Sequence, residues 1–207
     1  VTESGFNGIF LVATNPVDIM TRVTCALSGF NPRRVLGTGT ALDTARLRYL
    51  LGEYFSVDPR NIHAYVMGEH GDSEFVPWSQ ALLATKPILE LCGENGEAVC
   101  RQRFDEIEEE VRTAAYKIIE AKSATYYGIG MALTRITKAI LGDEHSVLTV
   151  SAMLRGEYGQ MDVFAGVPCI INQNGVQRVL PLSLTPEELE KLGRSCDTLR
   201  EGYDGIF

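Results

Sequence analysis

The sequence predicts a chain in two parts: a short parallel α/β remnant at the front, then an α+β body with antiparallel strands. Three observations carry this reading. Ile9-Phe10-Leu11-Val12-Ala13-Thr14 is an almost unbroken apolar run, as in a strand covered on both faces of a parallel sheet. Long amphipathic stretches fill the middle of the chain. Beyond them, Gly-rich turns separate short runs of β-branched residues, the pattern of an antiparallel meander.

Asn15-Pro16-Val17-Asp18 ends the first strand, and residues 19–27 read as a helix closing near Gly29. Asn31-Pro32 turns the chain into a second short strand, Val35-Leu36-Gly37, which completes one strand–helix–strand crossover. Apolar residues at 42, 47, 50, 51 and 54 predict a helix over 42–55, stopped by Asp58-Pro59. Residues 62–67 read as a strand that delivers His70 at its C-terminal end, residues 74–86 carry no clear period, and Gly93-Glu94-Asn95-Gly96 reads as a polar turn. A helix over 97–122 presents Phe104, Ile107, Val111, Ala114, Ile118 and Ala121 on one stripe. After a break near Ser123 a second helix spans 127–141. Strands are expected at 146–154, 162–166, 167–172 and 176–184. Thr185-Pro186-Glu187-Glu188 supplies an N-cap, a first-position proline and first-turn acids for a last helix to about residue 199.

The net charge of −8 disfavours nucleic acid and anionic membrane as partners, while leaving room for a small anion in a local Arg pocket. No apolar run approaches the roughly 18 residues of a membrane span. Val1-Thr2-Glu3-Ser4 has no signal-peptide pattern. Cys25, Cys92, Cys100, Cys169 and Cys196 are scattered and form no CxxC pair. The expectation is no disulfide framework, no zinc site and a reducing cytoplasmic setting, with Cys25, Cys169 and Cys196 as small core residues.

The chemistry gathers in two segments. In Asp43-Thr44-Ala45-Arg46 the acid and the guanidinium share one helix face. Arg48 lies roughly 200° round the helix from Arg46 and serves another surface. By spacing alone Asp43 and Arg46 also fit a surface ion pair, but Gly37-Thr38-Gly39-Thr40 just upstream lets backbone approach a ligand closely. His70 stands in Gly68-Glu69-His70-Gly71-Asp72-Ser73-Glu74, where a lone histidine also fits a merely polar loop. Together an imidazole, a carboxylate and a guanidinium are the minimum set for interconverting 2-hydroxy and 2-keto acids. The base moves the hydroxyl proton, the carboxylate fixes the base, and the guanidinium grips the substrate carboxylate. A metal reading of Glu69, His70, Asp72 and Glu74 lacks a second His at ligand spacing, since His63 and His145 form no HExxH-type pair; no metal is expected. Gly37-Thr38-Gly39 and Gly128-Ile129-Gly130 lack the third glycine of a phosphate loop, with Leu42 and Leu133 in those places.

These segments, with Val12-Ala13-Thr14-Asn15-Pro16-Val17-Asp18 and Ala124-Thr125-Tyr126-Tyr127-Gly128, resemble in order and spacing the C-terminal two-thirds of the bacterial L-lactate dehydrogenases. The resemblance implies that residues 1–37 are the end of a doubly wound NAD-binding sheet and 38–207 a substrate domain. It implies hydride transfer between NAD(H) and lactate or pyruvate. His70 would be the acid/base, Asp43 its anchor and Arg46 the clamp on the substrate carboxylate. Asn15 would bind substrate beside the nicotinamide, Ala13 and Ile129 would line the cofactor, and Thr125 the side-chain pocket. Arg48 and His63 match an allosteric site for fructose 1,6-bisphosphate, and a strand at 62–67 would put His63 on the face opposite Ile62 and Ala64. A cytoplasmic homotetramer of fermentative glycolysis is implied as well. The GxGxxG loop, the ribose-binding acid and the mobile loop with its carbonyl-polarising Arg are expected before Val1. That loop also separates lactate from malate enzymes, although Thr125 favours lactate. A malate-type dehydrogenase, and a non-catalytic segment that only oligomerises or binds effector, stay open beside the lactate reading.

Overall fold

A computed structural model describes residues 1–92, 97–123 and 125–203 and joins the two expected parts in one mixed sheet. In chain order the elements are β1 (Phe10–Val12), α1 (Val17–Ser28), β2 (Val35–Gly37), α2 (Ala41–Phe55), β3 (Ile62–His63), β4 (Leu82–Leu83), β5 (Lys86–Pro87), α3 (Ile88–Leu91), α4 (Glu97–Lys122), α5 (Tyr127–Leu141), β6 (Ser146–Arg155), β7 (Met161–Asn172), β8 (Gly175–Val179) and α6 (Pro186–Tyr203). β1 and β2 are parallel, with Phe10 opposite Val35, so the expected crossover is present. β2 then meets β6 antiparallel at Gly37 and Ser151, and β6, β7 and β8 follow as a meander, giving the order β1-β2-β6-β7-β8. A small antiparallel sheet, β3-β4-β5, stands apart from it.

Two main cores hold these layers. On the large sheet, Leu36, Val150, Leu154, Val163 and Ile171 bury against Ile136 of α5 and Leu192 and Leu199 of α6. Beside the small sheet, Leu47 and Leu51 of α2 bury with Ile62, Val66 and the α4 residues Phe104, Ile107 and Val111. The α4 stripe fades beyond that point: Ala114 and Ile118 are half-buried and Ala121 is exposed. α1 closes on Gly29 in the left-handed conformation, as expected. The Thr185 signal becomes a reciprocal capping box. Glu188 N donates to Thr185 Oγ1 at 3.2 Å, and Thr185 N donates to Glu188 Oε2 at 2.9 Å. Cys25, Cys169 and Cys196 are free and buried, as expected of small core residues.

Several elements differ from expectation for identifiable reasons. The strand expected at 62–67 forms a ladder only over Ile62–His63, with Met67 making an isolated antiparallel bridge to Phe75 at its far end. Between them, side chains of α2 and its approach stand in for a neighbouring strand. Arg48 Nε donates to Ala64 O at 3.0 Å, Val66 N to Thr44 Oγ1 at 2.9 Å, and Thr40 Oγ1 to Val66 O at 2.7 Å. The strands expected at 162–166 and 167–172 are one, because Gly166 sits inside the ladder opposite Ser151 rather than at a turn. It is glycine because an added Cβ would stand 2.6 Å from Thr40 Oγ1 and 2.9 Å from Gly68 O. The last strand stops at Val179, and residues 74–86 contain a 3-10 turn at Trp78–Gln80 and the β4–β5 hairpin. The first helix starts at Val17 and the last reaches Tyr203. The expectation of no disulfide is overturned. Cys92 and Cys100 are bonded, because α3 and α4 fold back to bring their Cα atoms to 5.6 Å. The polar turn at 93–96 and Ala124 lie outside the described residues. Among the described residues, no helix is long and apolar enough to cross a membrane.

Candidate active site

The site forms where β2 feeds α2. Asp43, in the first turn of α2, is 2% exposed. One turn on, Arg46 Nη1 lies 3.2 Å from Asp43 Oδ1, and across the gap His70 Nδ1 lies 2.7 Å from Asp43 Oδ2. The three side chains expected to converge do so, with one carboxylate bridging an imidazole and a guanidinium. Because Asp43 holds Nδ1, it fixes the ring and leaves Nε2 as the nitrogen available to a ligand.

Local electrostatics favour a charged imidazole. Burial alone would lower the His70 pKa, but the hydrogen bond and charge of Asp43, with further negative charge from Glu74 and Asp18, carry it up to about 9. Glu74 is 5% exposed, and burial followed by the nearby Asp43 charge pushes it up to about 8. Burial also pushes Asp18 up to about 6, against the His70 amide and ring. The His70 imidazole and the Arg46 guanidinium thus stand against the Asp43, Asp18 and Glu74 carboxyl groups, so cationic and acidic side chains balance in one place. Such a balance spares the half-closed site an uncompensated buried charge.

The loop carrying His70 is held from several sides. Gly68 takes φ +99°, and a Cβ there would stand 2.5 Å from Ser195 Oγ. The Ser195 hydroxyl, on α6 and buried, accepts the Glu69 amide at 2.7 Å. Asp18 Oδ2, in the first turn of α1, accepts the His70 amide at 2.8 Å. Gly68 and Gly166 exchange backbone hydrogen bonds of 2.9 and 2.7 Å, tying the loop to β7.

Other expected residues fall around this centre. Ala13 is half-buried and Asn15 exposed just past β1, before a cis Asn15–Pro16 bond. Thr125 and Ile129 are half-buried at the start of α5, and a Cβ on Gly128 would lie 3.9 Å from Arg46 Nη2, so this turn overhangs the clamp. Arg48 points elsewhere, as its spacing requires. Its guanidinium lies 5.0 Å from the Tyr65 ring centre and lines a cavity of about 400 Å³ with Arg60, Tyr65 and Arg135. Burial lowers the Arg48 pKa. His63 is exposed on β3, opposite in facing to buried Ile62 and Ala64; no hydrogen bond or ion pair joins it to Arg48 among the described residues.

Asp43, His70 and Glu74 bring possible metal-ligand atoms within 4.8 Å of one another, whereas Glu69 and Asp72 do not join them. The Arg46 guanidinium at 3.2 Å already supplies the cation that Asp43 faces. Sequence reasoning missed the contacts of Asp18 and Ser195. Asp18 was visible as the end of the Val12–Asp18 segment but with no contact assigned to it, and nothing local marks Ser195, which reaches the loop across 126 residues of chain.

The chain is similar to known proteins over nearly its whole length. Residues 40–207 match the model of the lactate/malate dehydrogenase alpha/beta C-terminal domain. L-lactate dehydrogenase 2 of Bacillus cereus is 54% identical over 201 residues, covering 97% of this chain and 64% of that protein. The L-lactate dehydrogenase of Oceanobacillus iheyensis is 52% identical over 204 residues, covering 99% of this chain and 63% of that protein. The minor L-lactate dehydrogenase of Enterococcus mundtii, in a ligands-bound crystal structure, superposes with a TM-score of 0.96 at 47% identity, over all of this chain and 66% of that one. The chain thus spans about 64% of the length of the curated relatives it matches. Its motifs, its mixed sheet and these matches agree that the chain belongs to the lactate/malate dehydrogenase family.

Proposed function

We propose that this chain is the catalytic portion of an NAD-dependent L-lactate dehydrogenase, interconverting lactate and pyruvate. The observation that supports it best is the Asp43 carboxylate shared between His70 at 2.7 Å and Arg46 at 3.2 Å. In the reduction direction a charged His70 donates its Nε2 proton to the keto oxygen, and Asp43 steadies the ring as its charge changes. Arg46 clamps the substrate carboxylate through paired N–H donors. When bound, NADH supplies the hydride. Residues past the end of parallel strand β1 and in the first turn of α5 suit it: Asn15 offers an exposed amide, and Ala13 after β1 and Ile129 in α5 offer half-buried apolar surface for a nicotinamide ring. Asn15 also binds substrate, and Thr125 lines the pocket for its methyl group. In this reading residues 1–37 belong to the cofactor domain and 38–207 to the substrate domain, within a cytoplasmic homotetramer.

The test is NADH fluorescence titration and turnover in the full-length protein, with oxamate, pyruvate and oxaloacetate. Tighter NADH binding with oxamate and a kcat/KM favouring pyruvate are expected. Preference for oxaloacetate would mean a malate-type enzyme, and no nucleotide binding would mean a segment without catalysis.

We also propose fructose 1,6-bisphosphate as an effector at Arg48 and His63. The supporting observation is a partly buried Arg48 beside the Arg60 and Arg135 side chains, with exposed His63 next to the Ala64 carbonyl that Arg48 grips. Arg48→Gln with His63→Gln should abolish activation by the bisphosphate and spare turnover at saturating pyruvate. Unchanged activation would refute the effector site.

A further inference from the structure

We propose that Arg33, Arg155 and Arg178 form an anion site on the large sheet for a phosphoryl group, either inorganic phosphate or the phosphate of a small monoester. All three line one cavity of about 80 Å³. They reach it from separate places: Arg33 stands in the Pro32–Arg34 turn before β2, Arg155 ends β6, and Arg178 lies in β8. β2 pairs antiparallel with β6 at Gly37 and Ser151, so the chain ahead of β2 runs beside the last residues of β6. The Asn31 side chain fixes that turn by accepting the Arg33 amide at 3.0 Å. Gly175, at φ +95°, lets the β7–β8 connection close over the Arg33 carbonyl, where a side chain would clash, and this brings β8 to the same cavity.

What marks these three is that their side chains are unengaged. The chain holds 27 acidic residues against 19 Lys and Arg, so partners for arginine are plentiful. Seven other arginines pair with a carboxylate. Arg22, Arg34 and Arg48 hold backbone carbonyls and lie over aromatic rings. Among the described residues, Arg33, Arg155 and Arg178 have no side-chain hydrogen bond, ion pair or ring contact. Glu157 also lines the cavity, and its Oε2 accepts the Arg155 amide at 2.6 Å. Three guanidiniums thus meet one carboxylate, in a molecule of net charge −8. Gathered like charges repel, and an anion seated between them turns that repulsion into attraction. Each guanidinium fork matches two oxygens of a tetrahedral oxyanion, and the excess of positive charge favours a dianion over a carboxylate. A water molecule takes roughly 30 Å³ of the liquid, so the cavity has room for one phosphoryl group with the rest of a monoester outside. The cavity shares no lining residue with the one beside Arg48, and none of its residues belongs to the His70 site, so the proposal stands whether or not the chain reduces pyruvate.

The test is calorimetric titration of the full-length protein with inorganic phosphate at low salt. It is run in an Arg48→Gln background, so that the effector cavity proposed above does not contribute. Binding in the millimolar range is expected, and it should weaken as chloride rises, because the donors are exposed. Adding Arg155→Gln and Arg178→Gln should weaken it by about 10-fold or more, through the loss of two charge-assisted contacts. Should that variant fail to fold, Arg33→Gln carries the same test with an expected loss of at least about threefold. Glu157→Gln removes the opposing charge, keeps an oxygen for the Arg155 amide, and should tighten binding. Glycerol phosphate is the second probe. Tighter binding than inorganic phosphate assigns the site to a monoester, and equal or weaker binding assigns it to the free ion; acetate should displace neither. No phosphate binding in the Arg48→Gln background would overturn the proposal. So would a folded variant lacking Arg155 and Arg178, or Arg33, that binds phosphate with unchanged affinity.

Discussion

Replacing His70 by Asn keeps the loop's polarity and removes its proton donor. Pyruvate reduction by the full-length protein should fall by about 10²- to 10⁴-fold while NADH binding persists, measured by steady-state kinetics and fluorescence titration. Near-parental turnover would refute the acid/base role. Arg46→Gln should raise KM for pyruvate about 10- to 100-fold, as expected for losing a charge-assisted hydrogen-bond pair. Asp43→Asn should bring the His70 pKa down from about 9 toward its ordinary value of 6.5, readable by NMR titration. At this scale the sequence was informative wherever spacing fixes direction. Asp43 and Arg46 lie three apart on a helix and had to share a face. It was silent on Asp18 and Ser195, whose roles depend on contacts across 52 and 126 residues that no local pattern encodes.

Among the elements, α6 carries the most complete local signal, and Thr185→Ala should cost about 1 kcal/mol, seen as a lower denaturation midpoint, by breaking its capping box. Titrating the unfolded, unreduced chain with a thiol reagent should find Cys25, Cys169 and Cys196 reactive and Cys92 and Cys100 protected. A full complement of reactive thiols would refute that pairing. Helices were readable because a 3.6-residue period survives without tertiary information, as at 97–122. The segment 62–67 was misread for the opposite reason. Its apolar content is real, but α2 side chains take the hydrogen bonds that a neighbouring strand would take, and composition cannot distinguish the two. Gly166 misled similarly, because a glycine required by close approach of Thr40 and Gly68 looks the same in sequence as one required by a turn.

For the whole molecule, the buried site should make stability fall as pH rises. His70 has a folded pKa of about 9 against an ordinary 6.5, so its contribution is complete below about 6.5 and is lost as pH climbs through 9. Glu74 and Asp18, raised to about 8 and about 6, act in the same direction, since ionising each costs more in the folded state. Urea unfolding should therefore show a midpoint that declines between pH 6 and pH 9, and His70→Asn should flatten the upper part of that decline; a midpoint that rises over this range would refute the assignment. The mixed sheet was only half legible beforehand. The parallel crossover and the antiparallel meander were each expected, but their union through Gly37 and Ser151 is a long-range pairing of the kind periodicity does not report.

The β6–β7 ladder runs without interruption from the Ser146–Ile171 pair to the Leu154–Val163 pair, under α5 and α6. Amides there can reach solvent only when most of the molecule opens, whereas those of the two-residue strands β3 and β4 are released by local fraying. Deuterium should therefore enter the small sheet first and the centre of this hairpin last, making it the slowest clock in the protein.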